Sequence, residues 1–284
     1  MPQRNSISIV ITTYNRSEAL IQVLRGLSQQ DDKDFEIVIA DDGSTQNHQD
    51  AVCNAVAQFG LRATYVWHPD VGFTASCIRN RGVAVATGSY IVLLDGDCVP
   101  EVDFVKQHRK LQALNCFVNG SRVLLSKRLT QSVIDEKTSV VMRSWAYWFG
   151  QWVQGDAGKL TGLLRLPNFL RKKTRHFRWK GIRSCNLGVW REHYVAINGF
   201  DESFVGWGHE DADFVLRLHN FGISRRNGFC ATEVYHLWHP ESSRVQESIN
   251  AQKVRDRMRT GTYLPTTGYT DSRGSSEVIV KRLG

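Results

Sequence analysis

An α/β fold with a mostly parallel central sheet flanked by helices is predicted by three features of the sequence. Short apolar runs alternate with segments of helical period through roughly the first 120 residues, the pattern of strands joined by crossover helices. The runs are rich in Ile, Val and Leu without polar alternation, so both faces of the sheet are expected to be covered. Several runs stop abruptly at carboxylates, which places polar chemistry at the strand ends where open α/β sheets bind ligands.

Strands are predicted at residues 7–13, 35–40, 63–67, 90–94 and 116–119, with helices between them. The first helix opens at Ser17, a residue suited to an N-cap, and repeats Leu20, Val23, Leu24 and Leu27 at helical spacing. The pattern loosens over 126–183. There Trp145, Tyr147, Trp148, Phe149 and Trp152 crowd together ahead of a basic run, an insertion expected on the sheet's edge. Order resumes with a strand over 184–190 and a helix through Leu218, with Phe214, Leu218 and Phe221 as its buried stripe. Residues 262–284 have linker chemistry and are expected to form a mobile tail.

A chain of 284 residues with 42% hydrophobic content can bury a sizeable core. The net charge of +8 points to an anionic partner: nucleic acid, a nucleotide or an acidic membrane surface. The excess is local, because no acid occurs between Asp156 and Glu192 while Arg171, Lys172, Lys173, Arg175, Arg178, Lys180 and Arg183 do. The six cysteines show no zinc or disulfide-scaffold spacing and are expected as free thiols. The N-terminus does not read as a signal peptide and no apolar window is long enough to span a bilayer, so the expected location is cytoplasmic.

The run 90–97, Tyr-Ile-Val-Leu-Leu-Asp-Gly-Asp, ends a buried strand in Asp95 and Asp97 around Gly96, suited to a divalent cation carrying phosphates. The first strand ends in Thr12-Thr-Tyr-Asn-Arg16 and the second in Asp41-Asp-Gly-Ser44. A Tyr14 ring for stacking and a carboxylate from Asp41 or Asp42 are what a nucleoside pocket needs, although Asp-Gly is also a common turn. Arg79 reads equally as a solvated surface charge and as a partner for phosphate or carboxylate.

In Gly206-Trp-Gly-His-Glu-Asp211, Trp207 between Gly206 and Gly208 suits packing on a sugar face with close backbone approach, and Glu210 and Asp211 head a helix. Acids in a first turn also simply complement the helix dipole. Neighbouring helical positions diverge by about 100°, so these two acids cannot share one task. In Val234-Tyr-His-Leu-Trp-His-Pro240, either His236 or His239 could complete a metal site.

Together these motifs resemble the inverting GT-A glycosyltransferases of the family 2 type, carried by Thr-x-Tyr-Asn-Arg, Asp-Asp-Gly-Ser and the DxD Asp95-Gly96-Asp97. Cys185-Asn-Leu-Gly and Asn198-Gly-Phe-Asp-Glu through Trp207-Gly-His-Glu-Asp resemble the galactosyltransferase-type module of bacterial chondroitin polymerases and animal β-1,4-galactosyltransferases. The resemblance covers roughly residues 6–125 and 181–240. It departs at His209, where the family often has Gly, and the polymerases' second catalytic domain is not expected here, so addition of a single sugar is expected.

The resemblance implies one GT-A domain over 1–261, with a nucleotide-binding half at 6–125, an insertion at 126–183 and an acceptor half at 184–245. It implies a UDP-sugar donor with Mn²⁺ or Mg²⁺, and donor contacts from Thr12, Tyr14, Arg16, Asp41, Asp42, Arg79, Asp95, Gly96, Asp97, Trp207 and Gly208. Tyr14 would stack on uracil and Asp41 read its edge. Asp95 would face the ribose and metal, Asp97 the metal itself, with His236 as the imidazole ligand. Asp211 would be the base and Glu210 bind hydroxyls. The segment Glu241-Ser-Ser-Arg244 is expected to close over the site.

The acceptor implied is a glycan or lipid-linked glycan, as in bacterial surface polysaccharide or lipopolysaccharide synthesis, and galactose or N-acetylgalactosamine is favoured over glucose or N-acetylglucosamine. The aromatic and basic stretch 145–183 fits an anionic membrane surface at the inner face of the cell membrane, or else a solvated basic face. A nucleic-acid binder is disfavoured because no RNP, KH or helix-turn-helix pattern accompanies the stretch. A catalytically weak sugar-nucleotide binder is disfavoured by the intact acids.

Overall fold

The computed structural model describes residues 6–167, 173–179, 181–240, 244–272 and 277–284. Its first half runs β1 (Ile7–Thr13), α1 (Ser17–Ser28), β2 (Phe35–Asp41), α2 (Gln46–Gln58), β3 (Ala63–Trp67) and α3 (Ala75–Val85). Then come β4 (Tyr90–Asp95), β5 (Cys98–Pro100), α4 (Phe104–Leu111), β6 (Cys116–Asn119) and β7 (Ser121–Leu124). The insertion holds α5 (Lys127–Ile134), α6 (Trp145–Val153), a 3₁₀ turn (Leu160–Leu163) and β8 (Lys173–Thr174). The chain continues through β9 (Asn186–Trp190), α7 (Arg191–Ala196), α8 (Glu210–Asn220), β10 (Ser224–Asn227) and β11 (Glu233–His236). It ends in α9 (Glu247–Thr260), α10 (Tyr269–Ser272) and β12 (Ile279–Leu283).

The main sheet has the order β12-β3-β2-β1-β4-β9-β6-β10-β8 among the described residues. Its parallel centre, β3-β2-β1-β4, explains the unbroken apolar runs. Ile7, Ile9 and Ile11 of β1 join the layer of Leu20, Val23, Leu24 and Leu27 from α1, while Val10 joins the opposite layer with Ile78 of α3 and Phe214 of α8. Apolar side chains therefore occur on both faces of these strands. A smaller sheet, β5-β11-β7, lies beyond the end of β4, and its pairing sets His236 opposite Cys98.

Four sequence expectations are corrected here. The stretch after 261 docks on the fold where it is described: Tyr269 is buried against Tyr194, and β12 pairs antiparallel with β3. Without β12, β3 would present an unpaired edge. Ser17 is the first helical residue of α1 rather than its cap, a position taken by Arg16. Phe221 follows α8, is 38% exposed and meets Tyr263 instead of the core. The stretch 145–183 is two surfaces: α6 packs on β11 through Trp148 stacked on Tyr235, whereas β8 pairs with β10 at the edge of the main sheet. Arg171, Lys172, Lys180, 241–243 and 273–276 lie outside the described residues.

Candidate active site

The parallel register aligns the predicted strand ends. Thr12 pairs with Asp95 and Thr13 with Asp41, so the three loops that follow β1, β2 and β4 open at one edge. The first two are latched together: the Asn15 N–H donates to Ser44 Oγ at 2.7 Å and the Thr45 N–H to Asn15 Oδ1 at 2.9 Å. Gly43, at φ +93°, passes so close to Asp70 that any Cβ would collide with its backbone. Tyr14 is 48% exposed beside this wall, its hydroxyl donating to Asp70 Oδ2 at 2.8 Å. That bond raises the Tyr14 pKa and leaves the ring face open for stacking.

The two acids of Asp-Asp-Gly-Ser face inward. Asp41 has no exposed surface; its carboxylate accepts from the Tyr65 hydroxyl and from the Ser44 N–H at 2.8 Å, so it holds the loop. Asp42 accepts from the Thr74 N–H at 2.9 Å and meets His68 Nε2 at 2.7 Å, tying the β2 loop to the start of α3.

Asp97 lies at the centre of a mixed cluster. Arg16 Nη1 is 3.1 Å from Oδ2, His239 Nε2 3.3 Å from Oδ2, and His236 Nε2 3.7 Å from Oδ1. Both candidate histidines thus face the same carboxylate. Gly96 is closely packed, since a Cβ there would sit 3.0 Å from the Thr12 carbonyl oxygen. One ligand atom each from Asp97, Cys98 and His236 lies within 4.8 Å of the others. Burial, helped by Arg122, His239 and Arg16, holds His236 down at about 3, so its imidazole is neutral with a lone pair available. Burial keeps Cys98 a neutral thiol. A carboxylate with a neutral imidazole suits a divalent cation, and the donor set of Asp97 and His236 fits one.

Arg79 is no solvated charge. It is buried, with Nη2 at 3.2 Å from Asp95 and Nη1 at 3.5 Å from Glu210, and its guanidinium lies 5.3 Å from the Phe200 ring centroid. It therefore spans from the strand-end acids to the head of α8. The half-buried Asp211 accepts from its own helix at the Ala212 N–H, 2.7 Å away. Burial and the adjoining Glu210 carboxylate push Asp211 up to about 7, against the pull of Arg79. Such a value suits a general base at neutral pH.

The glycines around Trp207 serve the fold before any ligand. Gly206, at φ +75°, admits Gln246, and Gly208, at φ +111°, lies under Glu247. Trp207 is itself 36% exposed, with the Arg244 guanidinium 5.2 Å from its ring centroid. His209 caps α8 in the left-handed region and accepts from Trp179 Nε1 at 3.3 Å. The third nearby acid, Asp213, is structural: it is fully buried, with Arg217 Nε at 2.7 Å and Arg257 Nη1 at 3.1 Å. Of the proposed closing segment only Arg244 is described.

Sequence reasoning missed Asp70, His68 and Arg122. Asp70 follows the end of β3, so the strand-end rule that found Asp41 and Asp95 could have found it. Arg122 of β7 gave no such signal; it reaches Cys185 beneath the acids from a separate sheet.

Residues 8–122 match the family model described as glycosyl transferase family 2, and residues 164–240 match the one described as the N-terminal domain of galactosyltransferase. The chain is 29% identical over 234 residues to validoxylamine A glucosyltransferase of Streptomyces hygroscopicus subsp. jinggangensis, covering 76% of this chain and 52% of the relative. It is 25% identical over 245 residues to chondroitin synthase of Escherichia coli, covering 78% and 33%. The chain thus spans about half the length of the first relative and a third of the second. Among solved structures, the mannosyltransferase PcManGT of Pyrobaculum calidifontis, in complex with GDP-Man and Mn²⁺, aligns with TM-score 0.57 at 15% identity over 90% of this chain and 66% of that one. TarS of S. aureus aligns with TM-score 0.58 at 13% identity, covering 94% and 41%. These structures share the GT-A fold with this chain.

Proposed function

Because the chain carries a glycosyl transferase family 2 domain in the GT-A fold, continued by a galactosyltransferase-type segment, we propose that it is a metal-dependent enzyme transferring a hexose from a UDP-sugar to a hydroxyl of a glycan or lipid-linked glycan, with inversion. The observation that carries this reading is the arrangement around Arg79: Asp95 on one side, Glu210 and then Asp211 on the other, with Asp97 and two histidines beyond.

In this reading Tyr14 stacks on the base, and Asp70 fixes the ring by holding its hydroxyl. Asp97 with His236 or His239 would hold a Mn²⁺ or Mg²⁺ ion, which when bound supplies Lewis-acid neutralisation of the charge on departing UDP. Asp211 takes the proton of the acceptor hydroxyl. The acceptor oxygen's electron pair forms the new bond at the anomeric carbon as the bond to the diphosphate oxygen breaks on the opposite face, so an α-linked donor yields a β-linked product. Glu210, held by Arg79, binds sugar hydroxyls.

The galactosyltransferase-type segment favours galactose or N-acetylgalactosamine, while the relative named for glucosyl transfer keeps glucose and N-acetylglucosamine in the test. The chondroitin synthase relative supports bacterial polysaccharide synthesis as the setting, and the inner face of the cell membrane is the place we propose for it. Thermal shift with Mn²⁺ across the four UDP-sugars, with GDP-mannose as a further arm, followed by UDP release with acceptor, tests the reading. A shift with no UDP-sugar, or sugar release only to water, sinks it.

A further inference from the structure

Helix α6 is built of Trp-Ala-Tyr-Trp-Phe-Gly-Gln-Trp-Val and contains no charged residue. Its inner face is anchored by Trp148, 2% exposed and stacked on Tyr235 at 4.6 Å with planes 12° apart. Its outer face should then be polar in a helix meant for water. Instead Trp145, Phe149, Trp152 and Val153, spaced i, i+4, i+7, i+8, are 48, 53, 50 and 65% exposed, and Met142 just before them is 74% exposed. The result is a continuous apolar stripe of large side chains.

The charges that flank the helix in sequence are basic, and the acid beneath it, Glu101, is taken up by the Met142 N–H at 3.0 Å and the Tyr235 hydroxyl at 2.6 Å. Between Lys137 and Leu166 the only acid is Asp156, which is buried and taken up by Ser126 and Arg128. Arg143 and Lys159, on the two sides of the helix in sequence, are exposed. Tryptophan prefers the level of lipid headgroups, where an apolar ring and a polar N–H are both satisfied, and cations beside it meet anionic headgroups. A second copy of this chain docking face to face would set like charges against each other.

We propose that the outer face of α6 docks the protein on an anionic lipid bilayer. The anchor strand β11 ends in His236, so the docked face and the metal-facing cluster are joined by one rigid element. That link gives a lipid-linked acceptor its route to the site; this consequence rests on the proposed transfer reaction, whereas the docking does not.

The test is co-sedimentation of the full chain with vesicles of phosphatidylcholine alone and mixed with phosphatidylglycerol, at low and high salt. The wild type binds the anionic vesicles and is weakened by salt. The variant Trp145→Ser/Phe149→Ser/Trp152→Ser loses roughly tenfold or more of its partitioning, while its melting temperature and its thermal shift with UDP-sugar in the absence of lipid stay as in wild type. Should that variant fail to fold, Arg143→Glu/Lys159→Glu must lower binding to anionic vesicles alone. The proposal is overturned by a wild type that ignores anionic vesicles, by a folded variant that binds as well as wild type, or by a lipid-free dimer that the triple substitution dissolves. Donor binding is read separately, so loss of one result leaves the other standing.

Discussion

Asp211→Asn separates activity from stability in a way that only a strained carboxylate would. Asp211 is pushed from 3.8 to about 7, first by burial and then by Glu210. A base with that value is about one-tenth ionised a pH unit below it, so kcat/KM should fall about tenfold per unit below neutrality. An unperturbed aspartate would leave the profile flat down to about pH 5. Glu210→Gln removes the like charge and moves the limb to lower pH; Arg79→Met removes the opposing charge and moves it higher. The sign for stability is opposite to that of a paired acid. A raised pKa means the folded state holds the proton more tightly, so stability is lost as pH rises from 3.8 through about 7. Each unit corresponds to about 1.4 kcal/mol, a ceiling of roughly 4 kcal/mol, and water reaching the half-buried side chain reduces this to an effect on the order of 1 to 2 kcal/mol. Asp211→Asn cannot ionise, so it should be inactive yet melt higher than wild type at about pH 8, with the gap closing below about pH 4. A pH profile flat across neutrality, or an Asn variant that both transfers sugar and melts as wild type does, would refute the assignment.

Asp97→Asn should abolish the Mn²⁺-dependent thermal shift as well as transfer. His236→Ala and His239→Ala, measured by the same shift, identify which imidazole joins the carboxylate, and full retention of metal response in Asp97→Asn counts against the site. Tyr14→Ala removes a stacking surface worth about 1 to 3 kcal/mol, so the donor KM should rise roughly tenfold or more with kcat little changed; an unchanged KM removes Tyr14 from the base pocket. Truncation after residue 276 strips β12 from β3 and should lower the melting temperature by several degrees, with added aggregation from the uncovered edge; an unchanged melt would mean that the strand adds nothing.

What was legible in the sequence followed from burial on both faces. The bounds of β1, β3 and β6 could be read because each run is short, mostly apolar and β-branched or aromatic, and closed by polar or glycine residues, and the alignment of Thr12, Asp41 and Asp95 followed from parallel pairing. The tail could not be read. Its strand is half exposed, and its pairing with β3 depends on a contact more than two hundred residues distant in sequence. The direction of Asp41 could not be read for a related reason: the motif marks the turn, but Tyr65, a residue of the neighbouring strand, decides that the carboxylate points inward. Arg79 reads both ways in the sequence, as surface and as partner, because its two acids come from β4 and α8. Pair partners across strands leave no local periodicity to detect.

The same distinction decides which of the two adjacent acids at the head of α8 can act as base. Helical geometry alone says only that Glu210 and Asp211 point in directions about 100° apart. The structure adds that the direction of Glu210 leads to Arg79, a guanidinium already committed to Asp95 and seated against Phe200. Asp211 meets no cation at ion-pair distance among the described residues; it has its helix N–H and a like charge beside it. Two carboxylates one residue apart are thereby placed in opposite electrostatic surroundings, as acid and base pairs in enzymes commonly are. The acid with a partner is fixed in position and suited to holding a hydroxyl. The acid without one holds its proton more tightly than an ordinary carboxylate and so exchanges it near neutrality, which in the proposed reaction lets it take up and give back a proton without breaking an ion pair.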